Sequence, residues 1–324
     1  MKHLIKDLVS VVVPVYNTLP EYLSECFESV KNQDYEKREL VIVNDGSTNE
    51  ETVLFCREYV KDNNEWCVLV EQENKGVSVA RNTGIVECSG SRLMFLDSDD
   101  SLEPDAISTL NKAMDENGCD AVIGQDYVKN GINKVETYID NDIMSALIHN
   151  VEASFGWALW GKMFDTNLMR FYYVSYEDIY YGEDLLVNAS YFSNSNKAVV
   201  INEKVYNYRR DNTDSAMNQA VTSKKLTLIK MWLEMERFYV GRGLDEEIKM
   251  IRANYYNSLL SGLFECNYFM YKNYRHISKQ IRTEICDNMR DIFKNPYVKD
   301  KFKYVLATHA MWIFKLARKI KKGH

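Results

Sequence analysis

The chain runs to 324 residues with 46% hydrophobic content, which suits one large domain or two modest ones with a proper core. A formal net charge of −7 argues against nucleic acid as a general partner. The charge is uneven: residues 299–324 hold eight Lys or Arg against one Asp, a basic tail on an acidic body.

Seven Cys without a C-x-x-C pair do not make a disulfide framework and read as free thiols of a reducing compartment. Cys26, Cys56 and Cys88 sit among apolar neighbours, as small core residues do. Residues Met1 to Asp7 show no signal-peptide core, and no apolar stretch reaches the length of a membrane span. The expected location is the cytoplasm, or the inner face of the cell membrane as a peripheral protein.

The first hundred residues alternate strand and helix. Leu8 to Val15 is a β-branched run that reads as a buried parallel strand closed by Pro14. Helical spacing follows from Leu19 to Gln33, then a strand at Glu39 to Val43 and a helix at Thr52 to Val60. Trp66 to Val70, Val77 to Val86 and Arg92 to Leu96 read as strand, helix and strand. This rhythm predicts a mostly parallel sheet with helices on both faces. A helix after Pro104, a strand at Asp120 to Gly124 and an edge strand at Lys134 to Ile139 come next. From Ser154 to Asn212 the pattern breaks, with many Tyr, Trp and Asn, as functional segments often do. Leu226 to Phe238, Glu246 to Phe269 and Tyr274 to Phe293 return to helical spacing.

Four segments at predicted strand ends carry chemistry. Asp97-Ser98-Asp99-Asp100 places three carboxylates where open α/β sheets bind ligands. Such a cluster needs a cation or polar partners to offset repulsion, and hard divalent ions take carboxylate and phosphate oxygens. Read alone, it is equally a solvated loop before a helix. Pro14-Val15-Tyr16-Asn17 offers a Tyr ring to line a pocket, or a plain turn. In Asn44-Asp45-Gly46-Ser47 the Asp can accept from a base or ribose, or cap a turn. Lys75, Gly76 and Arg81 lie in Asn74-Lys75-Gly76 and Ala80-Arg81-Asn82, where the cations can offset phosphate charge.

Taken in order, Val13-Pro14-Val15-Tyr16-Asn17, Val43-Asn44-Asp45-Gly46-Ser47, Asn74-Lys75-Gly76 with Ala80-Arg81-Asn82, and Phe95-Leu96-Asp97-Ser98-Asp99-Asp100 resemble family 2 glycosyltransferases with the GT-A fold. The resemblance implies a Rossmann-like α/β nucleotide-sugar domain over residues 1–215 and a helical region over 216–324 with a basic amphipathic tail. It further implies metal-dependent inverting transfer from a nucleotide-sugar, most often a UDP-sugar, with Mn²⁺ or Mg²⁺ as cofactor. On that pattern Pro14, Tyr16 and Asp45 hold the uridine, Asp97 contacts the ribose or sugar side, and Asp99 ligates the metal. Asn17, Lys75, Gly76, Arg81 and Ser98 complete the nucleotide-sugar set.

The same pattern asks for a downstream acidic pair before a helix, met here by Gly182-Glu183-Asp184. Chemistry asks for it too, because inverting transfer needs a base to take the acceptor hydroxyl's proton. Asp184 is the expected base, with Glu183 as its orienting neighbour or the alternative base. Trp157-Ala158-Leu159-Trp160-Gly161-Lys162 resembles the family's tryptophan-and-lysine segment, so Trp157, Trp160 and Lys162 are expected in the acceptor or donor pocket. Tyr206-Asn207-Tyr208-Arg209-Arg210 resembles the segment closing the catalytic domain, and either Arg209 or Arg210 is expected at the diphosphate.

The tail sets Phe302, Val305, Leu306, Trp312, Ile313, Leu316 and Ile320 among Lys and Arg residues. That make-up suits an interfacial helix on an anionic bilayer, or a core-packed helix with a basic end. The expected partners are a UDP-sugar donor, a glycan or lipid-diphosphate-linked acceptor and an anionic membrane surface met by residues 299–324. The expected product is a surface polysaccharide of the cell envelope. Two other classes use the same parts: a nucleotidyltransferase, and a non-catalytic nucleotide-binding scaffold.

Overall fold

The computed structural model describes residues 2–124, 136–149, 157–209, 227–268 and 275–309. The chain divides into two compact units, residues 1–178 with 182–218, and residues 179–181 with 219–324.

The first unit begins β1 (Ile5–Val15), α1 (Pro20–Lys31), β2 (Arg38–Asp45), α2 (Glu50–Asp62), β3 (Cys67–Gln72), α3 (Val77–Glu87) and β4 (Gly90–Phe95). It continues β5 (Ser101–Leu102), α4 (Ala106–Asn117), β6 (Ala121–Gly124), β7 (Glu136–Ile139), α5 (Asn141–His149), β8 (Lys162–Asp165), α6 (Thr166–Tyr172), α7 (Glu183–Phe192), β9 (Lys197–Ile201) and β10 (Tyr206–Asn207). Among the described residues, eight strands form one sheet in the order β3-β2-β1-β4-β8-β6-β9-β7. The first four are parallel. β8 runs antiparallel between β4 and β6, and β7 closes the edge antiparallel to β9. The parallel strands form because their Val- and Ile-rich runs are buried on both faces. Odd-numbered Val9, Val11, Val13 and Val15 meet Leu23, Phe27 and Val30 of α1 and Ile107 and Leu110 of α4. Val12 points to the other face, where α3 comes so close that a Cβ on Gly84 would stand 2.3 Å from it.

Two expectations change here. Pro14 does not end β1, which pairs with β2 through Val15. The Val12 carbonyl faces β4, so by strand alternation the Pro14 nitrogen faces the same side. The β4 ladder stops at Phe95, opposite Val12, and the missing N–H therefore removes no ladder bond. The described part of the stretch read as irregular, from residue 157 to 209, is also more ordered than its composition implies. From residue 162 to 207 it holds β8, α6, α7, β9 and β10, elements too short to print a period.

The second unit contains α8 (Thr227–Arg237), α9 (Asp245–Tyr268), α10 (Arg275–Asp287), α11 (Met289–Lys294) and α12 (Phe302–His309). Met231, Met235, Ile251, Leu259, Leu263 and Ile285 are buried within it. Its tyrosines are tied down internally: Tyr255 donates to Glu284 at 2.9 Å and Tyr304 to Asn257 at 2.8 Å. Among the described residues no helix is long and apolar enough to cross a membrane. The tail beyond His309 lies outside the described residues.

Candidate active site

The parallel strands β3, β2, β1 and β4 deliver their C-terminal loops to one rim. On β1, Tyr16 is exposed, while Asn17 takes φ 54°. The Asn17 carboxamide oxygen accepts from the N–H groups of Thr48 at 2.7 Å and Asn49 at 2.9 Å. It thus clasps the β1 loop to the start of α2. Pro14 is buried beneath this loop end.

Asp45, expected to hold the uridine, is engaged by the protein's own donors. It is 3% exposed, and its carboxylate accepts from Gln72 Nε2 at 2.7 Å, Lys75 N–H at 2.9 Å and Gly76 N–H at 2.8 Å. The carboxylate fixes the loop Asn74-Lys75-Gly76 at the entry to α3. Lys75 is exposed there. Nothing in the sequence marked Gln72 as its holder.

The strand-end acidic cluster is sorted by its partners. Asp100 is buried, accepting from Tyr206 Oη–H at 2.7 Å and from Arg209 N–H at 2.7 Å. Burial raises its carboxyl to about 7 despite the Arg209 N–H. Ser98 is buried and meets the Thr18 hydroxyl at 2.7 Å. Asp99 is half-buried at the rim, its backbone carbonyl held by Arg209 Nε at 2.8 Å. Asp97 turns to Arg81.

Arg81 also departs from expectation. It is 4% exposed and cannot present an open guanidinium to solvent. Its Nη2 meets Asp97 at 2.9 Å, and its Nη1 meets Asp184 at 2.6 Å and Glu183 at 3.9 Å. The acidic pair opens α7, one at each of its first two positions. Burial pushes both carboxyls of the pair up, and Arg81 opposes this at each. One cation thus joins the strand-end cluster to the acidic pair, which lie far apart in sequence.

Around them stands an aromatic wall. Trp160 stacks on Tyr206 with ring centroids 4.6 Å apart and on Tyr208 at 6.0 Å. Trp157 is half-buried in the same segment. Tyr206 also accepts from the Asp97 N–H at 3.2 Å, so it braces the acidic loop as well as the wall. Its segment was legible in the sequence, but not this double role. Lys162 is not on the wall: it is fully buried on β8. A single Lys in a four-residue strand gives no sign of which way it points. Arg209 pairs with Glu25 and lies over the Tyr22 ring, its Cζ 4.6 Å from the centroid. These contacts tie it to α1 rather than to an open diphosphate pocket. Arg210 lies outside the described residues.

The model of glycosyl transferase family 2 matches residues 10–176. Glycosyltransferase GlyA of Streptococcus pneumoniae serotype 4 is 33% identical over 262 residues, which are 76% of this chain and 35% of that protein. The uncharacterized glycosyltransferase EpsJ of Bacillus subtilis is 29% identical over 216 residues, 63% of this chain and 61% of that protein. The chain therefore spans from 35% to 61% of the length of these curated relatives. Among solved structures, S. aureus TarS 1-349 with UDP-GlcNAc superposes with a TM-score of 0.64 at 18% identity, over 94% of this chain and 91% of that one. The mannosyltransferase PcManGT of Pyrobaculum calidifontis, bound to GDP-Man and Mn²⁺, gives 0.52 at 16% identity, over 92% and 85%. The fold is that of an α/β glycosyltransferase of the GT-A kind. The chain belongs to glycosyl transferase family 2.

Proposed function

We propose that the protein transfers a hexosyl or N-acetylhexosaminyl group from a UDP-sugar to a glycan or lipid-diphosphate-linked acceptor, with inversion, in surface polysaccharide synthesis. The observation that carries this is Arg81: one buried guanidinium holds Asp97 of the strand-end cluster and Asp184 of the acidic pair. Donor-binding and proton-accepting groups thereby meet in one site. TarS solved with UDP-GlcNAc and with UDP supports a uridine donor for a chain of the same fold.

In this reading Asp184 takes the acceptor hydroxyl's proton as that oxygen attacks the anomeric carbon, and UDP leaves with the bonding pair. Arg81 keeps Asp184 charged and aimed, and Glu183 lines the same turn. Tyr16 flanks the base, Asn17 and Asp45 keep its loops in place, and Lys75 meets the diphosphate. The ring faces of the Trp160 wall suit a sugar.

The donor set fits a hard divalent cation. Asp99, half-buried at the rim, is the side chain proposed to hold it. Among the described residues no three His, Cys, Asp or Glu side chains gather around one point. One carboxylate completed by phosphate oxygens and water is an ordinary Mg²⁺ or Mn²⁺ arrangement. When bound, Mn²⁺ or Mg²⁺ offsets the charge of the departing diphosphate.

The basic tail from Lys299 is proposed to meet an anionic membrane at the cytoplasmic face, close to a lipid-linked acceptor. The central test is a calorimetric titration with UDP, GDP and ATP, with and without Mn²⁺. Tight binding of UDP only with the metal is expected. Preference for ATP would favour a nucleotidyltransferase, and no UDP binding in either state would overturn the donor assignment.

A further inference from the structure

Lys162 is fully buried, and a buried ammonium is costly unless its surroundings compensate. Its Nζ donates to the carbonyl oxygen of Ala158. Asn188, one turn beyond Asp184 on α7, donates through Nδ2 to the same oxygen at 2.9 Å. The N–H of that same peptide group belongs to Leu159, and it faces the Asp184 carboxylate and favours its charged form. The peptide is therefore held at its oxygen by Lys162 and Asn188, with its nitrogen towards Asp184. A carbonyl that accepts from a cation polarises its peptide and strengthens the N–H as a donor. Gly161 makes the loop possible: its φ of 68° turns the chain back, so that Lys162 reaches the carbonyl four residues before it.

The electrostatics run the same way. Burial lowers the Lys162 amine to about 7, with Asp184 opposing the shift. Burial raises Asp184, and Arg81, Lys162 and the Leu159 N–H pull it down, while Asp97 pushes it up. The charged and titratable groups facing Asp184 are thus Arg81 on α3, Asp97 after β4, Lys162 on β8, Glu183 on α7, and Tyr173 after α6.

We propose that Lys162 and Asn188 are positioning residues that hold Asp184 in place and ionised through the Ala158–Leu159 peptide. The proposal rests on Asp184 being the base. It separates two functions in one short segment: Trp160 faces a sugar, whereas Lys162 acts on the base and touches no substrate.

The test is the pH profile of kcat in Lys162→Met, followed as UDP released from UDP-GlcNAc or UDP-glucose. Met roughly keeps the volume but leaves Asp184 and the Ala158 carbonyl without the ammonium, so the unfolding midpoint of the variant is measured beside its pH profile. Loss of the cation leaves Asp184 harder to ionise, so the acidic limb moves up by about one pH unit. Turnover at pH 6 then falls about tenfold more than at pH 8.5, with KM for the donor unchanged. Asn188→Leu removes a donor but no charge, and is expected to lower kcat with a smaller displacement of the limb. A merely structural role predicts lower stability and a limb that stays where it is. If both variants fold and keep the wild-type profile, the proposal is overturned. Asp184→Asn in the same assay separates the two levels: full turnover there removes the base reading itself, whereas its loss beside an unmoved Lys162→Met profile removes only the positioning role.

Discussion

At the rim of β1 to β3, amides, hydroxyls and one carboxylate hold loops through backbone N–H groups. Asn17 clasps Thr48 and Asn49, and Asp45 clasps Lys75 and Gly76. Around Arg81 the holding is done by ions instead, drawn from α3, the loop after β4, β8 and α7, with Arg81 and Lys162 buried and Asp97 half-buried. The rim is a set of loops whose shape depends on single hydrogen bonds, each replaceable at modest cost. The ion cluster has no such slack, because every charge removed strands another in a buried place.

The largest expected effect follows from that asymmetry. Arg81→Met leaves Asp97 and Asp184 facing each other without their shared cation. We expect a loss of about 3 to 5 kcal/mol in urea unfolding, with no measurable transfer. A loss below about 1 kcal/mol would place the cluster with ordinary surface pairs and erase the contrast. Asp45→Asn probes the rim. The variant keeps the shape but cannot accept from Gln72, Lys75 and Gly76 together. We expect about 1 to 3 kcal/mol of destabilisation and several-fold weaker UDP binding by titration, with kcat little changed. An equal loss of kcat would mean that the rim and the cluster are one device.

The two regions also differed in how far the sequence disclosed them. The parallel half was readable because β-branched runs such as Leu40 to Val43 are buried on both faces and leave continuous apolar text. The motif residues were readable as types, at strand ends or, for Glu183 and Asp184, at a helix start, and Arg81 joins Asp97 to Asp184. Their partners were not readable. Nothing local says that Arg81 turns inward to two carboxylates rather than outward to phosphate, because one of them, Asp184, comes from a helix about a hundred residues downstream. Lys162 was expected in the pocket because its segment resembles the family's tryptophan-and-lysine segment, and a motif does not say which way its side chain points. Only the antiparallel insertion of β8 between β4 and β6 shows that it is buried. The short elements from 162 to 207 escaped for a simpler reason: four- to ten-residue segments do not complete enough turns or pleats to show a period.

The most direct test of the central claim, that the Arg81 cluster presents Asp184 as the base, is Asp184→Asn measured for UDP affinity and for UDP release from UDP-GlcNAc or UDP-glucose. Loss of a general base predicts UDP binding within about twofold of the parent and turnover lower by roughly 10²- to 10⁴-fold. Turnover within about tenfold of the parent, with binding intact, would contradict the account and move the proton-accepting role to another residue.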